Sequence, residues 1–155
     1  MPSDLGRKAL LSCDIRIVAS IIRMSVLWNM GMMNNERTKE EIEAAIRTAI
    51  IKFEQEFMGR GPDEVKAFVV RDQVLVRLKG VLTLAERQLA KTAEGIDMVK
   101  RMRQNLIAQG RDKLCEQVSE ITGAKTLALF TDIDVQIGER VLVFTIDRDI
   151  QSESR

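Results

Sequence analysis

The turn at residues 59–62 is the stretch whose residue types could do chemistry, since it reads Gly59, Arg60, Gly61 and Pro62 after an apolar helical pattern. Glycines let a backbone approach a ligand closely, and successive N–H groups in such a turn can bind an anion. An arginine between them would add a two-pronged donor for carboxylate or phosphate. The alternative is structural: Gly59 ends a helix, Pro62 stops it, and Arg60 lies at the helix's negative end.

Few other residues could do chemistry. Paired carboxylates at the ends of the last two predicted strands could hold Mg²⁺ or Ca²⁺, or could be solvated strand ends. We expect them to hold no metal, and we expect no cofactor; these residues are Asp132, Asp134, Asp147 and Asp149. Cys115 lies in a predicted helix and is expected to be a small core residue. A solvated helix face is expected at Lys100, Arg101 and Arg103.

Composition excludes several classes of function. The chain has 24 basic and 23 acidic residues and a net charge of +1, so we expect no bulk attraction to nucleic acid or to an anionic membrane. It has no histidine, which excludes a histidine base, a Ser-His-Asp triad and any zinc site with a histidine ligand. Cys13 and Cys115 form no CxxC motif, so a reduced, cytoplasmic setting is predicted. We therefore expect no enzymatic activity.

The sequence predicts three parts. Residues 1–35 form an N-terminal extension, residues 36–150 a single α+β domain, and residues 151–155 a disordered tail. A chain of 155 residues is long enough to bury one sizeable core, and the helical and strand patterns begin only after the extension. The core is therefore assigned to the middle part.

The N-terminal extension has two interpretations. Residues 15–33 are apolar but interrupted by Arg16 and Arg23, so they are too charged for a membrane span. One interpretation is a non-native upstream extension, with Met32 or Met33 as the physiological start. The other is a flexible amphipathic segment that binds a membrane surface or a partner.

Helix starts are signalled by capping residues. Thr38 with Glu41, and Thr83 with Glu86, make two capping boxes, and Thr92 can cap a third helix. Apolar residues at helical spacing follow the first and third of these starts. A glycine inside the last helix, Gly110, predicts a bend there.

Strands are signalled by alternation. In residues 74–79, three apolar side chains alternate with Leu75, Arg77 and Lys79, so the two sets point to opposite faces. The predicted order is α-β-β-α-α-β-β, which gives an α+β fold: a four-stranded antiparallel sheet with helices packed on one face. The other face stays wet or meets a partner, and we predict a homodimer.

Four short motifs carry a resemblance to a known family. These are GRGP (59–62), VRLKGVLT (76–83), ITG (121–123) and GERV (138–141). Over about residues 38–149 the chain resembles the MpsC family, which is associated with a Na⁺-translocating, membrane-potential-generating system. The resemblance implies a small cytoplasmic accessory or regulatory protein, peripheral to the inner face of the membrane through a membrane-protein partner. It implies no catalytic residues, and the sequence offers no span of its own.

Two other functions stay open on the residues. One is a regulator that binds a small molecule or anion through Gly59, Arg60, Gly61 and Pro62 together with Arg77 and Lys79. The other is an uncharacterised enzyme, which the missing histidine and the lack of a nucleophile–base pair disfavour. A bound anion beside Arg60 would favour the regulator, and converging carboxylates in a deep pocket would favour the enzyme.

Overall fold

The computed structural model describes residues 18–23 and 37–151. Residues 18–23 are helical and exposed. The predictions for residues 1–17, 24–35 and 152–155 lie outside the described residues. Within the described ranges, no helix is long and apolar enough to cross a membrane.

The second described range folds into three helices and four strands in the predicted order. The elements are α1 (Lys39–Met58), β1 (Glu64–Val70), β2 (Gln73–Lys79), α2 (Leu84–Leu89), α3 (Ala93–Thr122), β3 (Thr126–Asp134) and β4 (Glu139–Ile146). The strands form one sheet in the order β1-β2-β4-β3, and each neighbouring pair is antiparallel. The predicted α+β class and the four-stranded antiparallel sheet are confirmed.

Local capping explains where the helices start. Thr38 accepts a hydrogen bond from the Glu41 N–H at 3.3 Å, and Glu41 accepts from the Thr38 N–H at 2.8 Å. Thr83 and Glu86 make the same reciprocal pair at the start of α2. Thr92 starts α3 by accepting from the N–H of Gly95, the third residue of the helix, at 3.0 Å. Each cap satisfies donors that a helix start leaves unpaired.

Glycines fix the ends and the packing of the long helices. Gly59 ends α1 with φ of 74°, and Gly123 ends α3 with φ of 67°, both in the left-handed region. Gly110 lies inside α3, which continues as one helical element past it. A methyl group added there would overlap the ring of Phe53 on α1. Close packing of the two helices therefore accounts for this glycine, and the bend stays a prediction.

The core lies between the helices and one face of the sheet. Every second side chain of the two central strands is buried against α1 and α3. Burying one such side chain stabilises the fold by about 1.5–3 kcal/mol, so this layer holds the sheet to the helices. Its fully buried members include Ile46, Ile50, Phe53, Val74, Val76, Leu78, Leu142 and Phe144.

Candidate functional site

The arginine of the 59–62 turn is bonded within its own chain. Arg60 Nη1 donates to the carbonyl oxygens of Gly80 at 3.0 Å and Leu82 at 2.8 Å. Its Nη2 pairs with the Asp63 carboxylate, and one third of the side chain is exposed. The guanidinium thus ties the turn after α1 to the loop between β2 and α2.

The loop that accepts these bonds is itself tightly fitted to the turn. Gly80 has φ of 65°, which favours glycine, and a methyl group there would overlap the Asp63 carboxylate. The contacts of Arg60 therefore support the structural interpretation of the turn. A ligand role for Arg60 stays a prediction.

We expect Arg60→Lys to lower the free energy of unfolding by about 1–2 kcal/mol, because an ammonium group cannot replace a fork that reaches two carbonyls and a carboxylate. Urea unfolding measures the change. Arg101→Lys, at an exposed position on α3, is the matched control and should change stability by less than about 0.5 kcal/mol. Unchanged stability with weaker anion binding would instead favour the ligand role.

The other two predicted binding residues have separate partners. Arg77 donates from Nε and Nη2 to the Glu139 carboxylate at 2.5 and 2.9 Å. This pair raises the pKa of Arg77 and lowers that of Glu139. Lys79 Nζ lies 3.5 Å from Glu64, which also pairs with Lys66 at 3.0 Å. The six predicted binding residues therefore fall into two groups with different contacts. Residues 59–62 form the turn, whereas Arg77 and Lys79 pair with carboxylates on neighbouring strands.

The side of the sheet away from the helices, which we call the open face, carries an apolar row. The strand register places Phe68, Leu75, Val143 and Phe130 side by side across β1, β2, β4 and β3. Phe68 is 43% and Phe130 63% exposed, and the two central members are half-buried. An apolar row across all four strands exceeds the scattered exposed residues usual on a monomer, and such patches mark interaction sites.

Charges of opposite sign lie along one side of the apolar row. The next position along the four strands holds Lys66, Arg77, Val141 and Asp132. Positive charge therefore lies on the β1 and β2 side and negative charge on the β3 side. The Asp132 side chain is 71% exposed and pairs with Lys100 at 3.1 Å. An apolar centre with charged groups along one margin resembles a protein interface, which has an apolar core and a polar rim.

The prediction that Arg103 lies on a solvated helix face is wrong, because its side chain is fully buried. Its Nε and Nη2 donate to the two Glu86 oxygens at 2.7 and 2.8 Å, and Nη2 also donates to the Val81 carbonyl at 2.5 Å. Burial opposes ionisation of Glu86, but hydrogen bonds from Arg103 and Thr83 lower its pKa below the ordinary value. Arg103 is buried because a carboxylate at the start of α2 is held against α3. Arg101 is exposed, as predicted.

A second buried pair adjoins the first. Glu54 lies 3.6 Å from Arg103 Nη1 and 3.9 Å from Arg140 Nη1, beyond hydrogen-bond distance. Among the described residues, neither Glu54 oxygen has a hydrogen-bond partner, nor do Nε and Nη1 of Arg140. Burial raises the pKa of Glu54 and lowers that of Arg140 to about 10. Two arginines and two glutamates thus make a buried cluster with as many basic as acidic side chains, which we call the ionic core.

Sequence reasoning missed Glu54 and Arg140, although each has a signal. Glu54 follows Ile46 and Ile50 at intervals of four, so it occupies a core position of α1. Arg140 is on the buried side of β4, in alternation with apolar residues. An acid and a base at core positions indicate a buried ion pair, since such groups are rarely buried alone.

The aspartates at the strand ends have local roles. Asp134 accepts from the N–H groups of Gln136 and Ile137, and Asp147 accepts from the Lys125 N–H. Asp149 accepts from the Gln151 N–H. Over the ranges that the structure describes, no group of three or more acidic or cysteine side chains is placed to hold a metal ion.

Cys115 is half-buried and packs against the core. Burial raises the pKa of its thiol, which keeps the sulfur protonated near neutral pH. A protonated thiol is a weak nucleophile, which agrees with the predicted packing role.

Within residues 37–151, helices cover one face of the sheet and leave the other, with its apolar centre, open, which defines an α+β protein. The family model described as "Na+-translocating membrane potential-generating system (MpsC)" matches residues 38–148. The chain therefore belongs to the MpsC family.

Two relatives from Bacillus subtilis (strain 168) are similar over most of their length. The uncharacterized protein YbcI is 35% identical over 116 residues, which are 75% of this chain and 94% of YbcI. The uncharacterized protein YrhF is 34% identical over 105 residues, which are 67% of this chain and 86% of YrhF. No solved structure matches the chain significantly.

Proposed function

We propose that the chain is a non-enzymatic accessory protein of a Na⁺-translocating, membrane-potential-generating system, and that it acts by binding protein through the open face of its sheet. The apolar row carries this proposal. Phe68 and Phe130 expose aromatic surface to water at the two edges of the sheet. Exposure of apolar surface is unfavourable in free energy, and binding of a protein partner would bury it. The family description, which names a Na⁺-translocating membrane-potential-generating system, supports this choice of system.

Composition and site chemistry support a role in binding rather than catalysis. The chain has no histidine. The thiol of Cys115 is held protonated, and the charged groups of the ionic core are turned inward and bonded or packed against one another. We place the protein in the cytoplasm, at the inner face of the membrane through its partners, where an accessory subunit would meet the membrane components of such a system.

The membrane potential of living cells tests the proposal. A strain that lacks the protein should lose part of its sodium-dependent potential, read with a voltage-sensitive dye, and expression of the chain should restore it. Phe130→Ser should restore it much less, because the substitution makes one end of the apolar row polar while leaving an exposed position exposed.

Leu84→Ser is the matched control. Leu84 is 78% exposed on α2, away from the open face, so its loss should leave the restored potential unchanged. Equal rescue by Phe130→Ser would overturn the role of the open face. A deletion strain with a normal sodium-dependent potential would overturn the accessory role itself.

A further inference from the structure

We infer that the occupant of the open face is a second copy of this chain, related by a two-fold axis that runs parallel to the strands between β2 and β4. This inference rests on the proposed function of the open face and names its partner. It is carried by the way the apolar row and the charges are distributed across the four strands.

The two-fold axis makes the open face complementary to itself. Rotation about this axis places β1 of one copy over β3 of the other. Each row of residues across the strands then faces the equivalent row of the second copy. Phe68 then faces Phe130 of the second copy, and Leu75 faces Val143 of the second copy. In the next row Lys66 faces Asp132 of the second copy, twice per dimer by symmetry. Sheets stacked in this way pack about 10 Å apart, within about 30° of alignment.

The outermost row is mixed. Lys79 would face Glu139 of the second copy, which is favourable, whereas Glu64 would face Asp134 of the second copy. Glu64 already pairs with Lys66 and Lys79 in its own chain, so its charge is partly neutralised before the copies meet. The like-charged contact lies at the rim, where solvent screens it.

A two-fold axis perpendicular to the strands is the competing arrangement. If this axis passes through the apolar row, Phe68 faces Phe68 of the second copy. Each charged residue in the neighbouring row then faces an uncharged residue of the second copy. Lys66 would then face Val70 of the second copy, and Asp132 would face Ala128 of the second copy. The parallel axis sets one charged residue of this row, Arg77, opposite the apolar Val141 of the second copy, but Arg77 is already paired with Glu139 in its own chain. Desolvating a charge without a partner is unfavourable, so the parallel axis is favoured.

The dimensions of the open face indicate how strong the dimer is. Four strands about 4.8 Å apart, with about seven residues each at about 3.3 Å per residue, present a flat face of roughly 400 Å². Two copies would remove at least about 800 Å², which is below the roughly 1,200 Å² of a stable specific interface and in the range of weak, transient association. The net charge of +1 adds little repulsion. We therefore expect a dimer whose dissociation constant is in the micromolar range.

Sedimentation equilibrium from about 1 to about 200 µM tests the assembly. The full chain should change from monomer to dimer across this range. Lys66→Asp and Asp132→Lys should each weaken their own homodimer by about tenfold, because each places like charges opposite each other twice. Mixing the two variants should restore the dimer, since both facing pairs become opposite in charge again.

Lys91→Asp and Glu120→Lys are the matched controls, because both residues are exposed on the helical side. They should leave dimerisation unchanged alone and mixed. If the full chain is monomeric throughout the range, the occupant of the open face is not a second copy of this chain. The proposed function of the open face would still be tested separately, by the membrane-potential experiment. A dimer that the mixed charge variants do not restore would overturn the axis.

Discussion

Replacing Arg103 with methionine is expected to lower the free energy of unfolding by about 3–5 kcal/mol. Methionine fills most of the arginine's length, so the loss comes from electrostatics and hydrogen bonding more than from volume. Glu86 would lose two charge-assisted bonds, and the buried Glu54 would lose one of its two neighbouring positive charges. The Val81 carbonyl would also lose its donor.

Two further variants make this prediction specific. Arg101→Met, two positions earlier and exposed, should change urea unfolding by less than about 0.5 kcal/mol. In a double-mutant cycle, Glu86→Gln should lower the free energy of unfolding less in the Arg103→Met background than in the native protein. In that background the Glu86 carboxylate has already lost its arginine partner. The amide oxygen can still accept from the Thr83 N–H, so α2 keeps its cap. If Arg103→Met costs no more than Arg101→Met, Arg103 is not buried in a pair.

The features that the sequence predicted are those set by neighbouring residues. A capping box needs only four consecutive residues, so the starts of α1 and α2 could be read directly. Alternation in β2 correctly assigned Leu75 and Arg77 to the face away from the core. Local rules of this kind fix each element and the side it buries, and the order of elements then restricts the sheet.

The features that were missed depend on contacts between distant parts of the chain. Helical spacing places Arg103, but not Arg101, on the buried stripe between Val99 and Ile107; what spacing does not show is the partner, since Glu86 lies 17 positions earlier and packs against α3. Two of the three partners of Arg60 are loop carbonyls 20 and 22 positions away. The apolar row likewise needs the register between the two hairpins, which the alternation of a single strand does not give.

Gly110→Ala tests the closest approach of the two long helices, and here two effects of opposite sign compete. Inside a helix, alanine is favoured over glycine by about 1 kcal/mol. At Gly110, however, the added methyl group would overlap ring carbons Cε2 and Cζ of Phe53 and lie 3.2 Å from Cε1 of Phe57. The two rings stack with centroids 4.3 Å apart, and Phe53 is fully buried, so neither can move aside cheaply.

We therefore expect Gly110→Ala to destabilise the protein by about 1–3 kcal/mol in urea unfolding, despite the gain in helix propensity. In a Phe53→Leu background, the smaller side chain leaves room for the methyl group, and the same substitution should become neutral or stabilising by up to about 1 kcal/mol. Ala108→Gly is at an exposed position of the same helix and should lower the free energy of unfolding by about 0.5–1 kcal/mol. This variant measures the effect of helix propensity without a change in packing. A stabilising Gly110→Ala in the native background would contradict the close packing of α1 on α3, because only an open site would let propensity decide the sign.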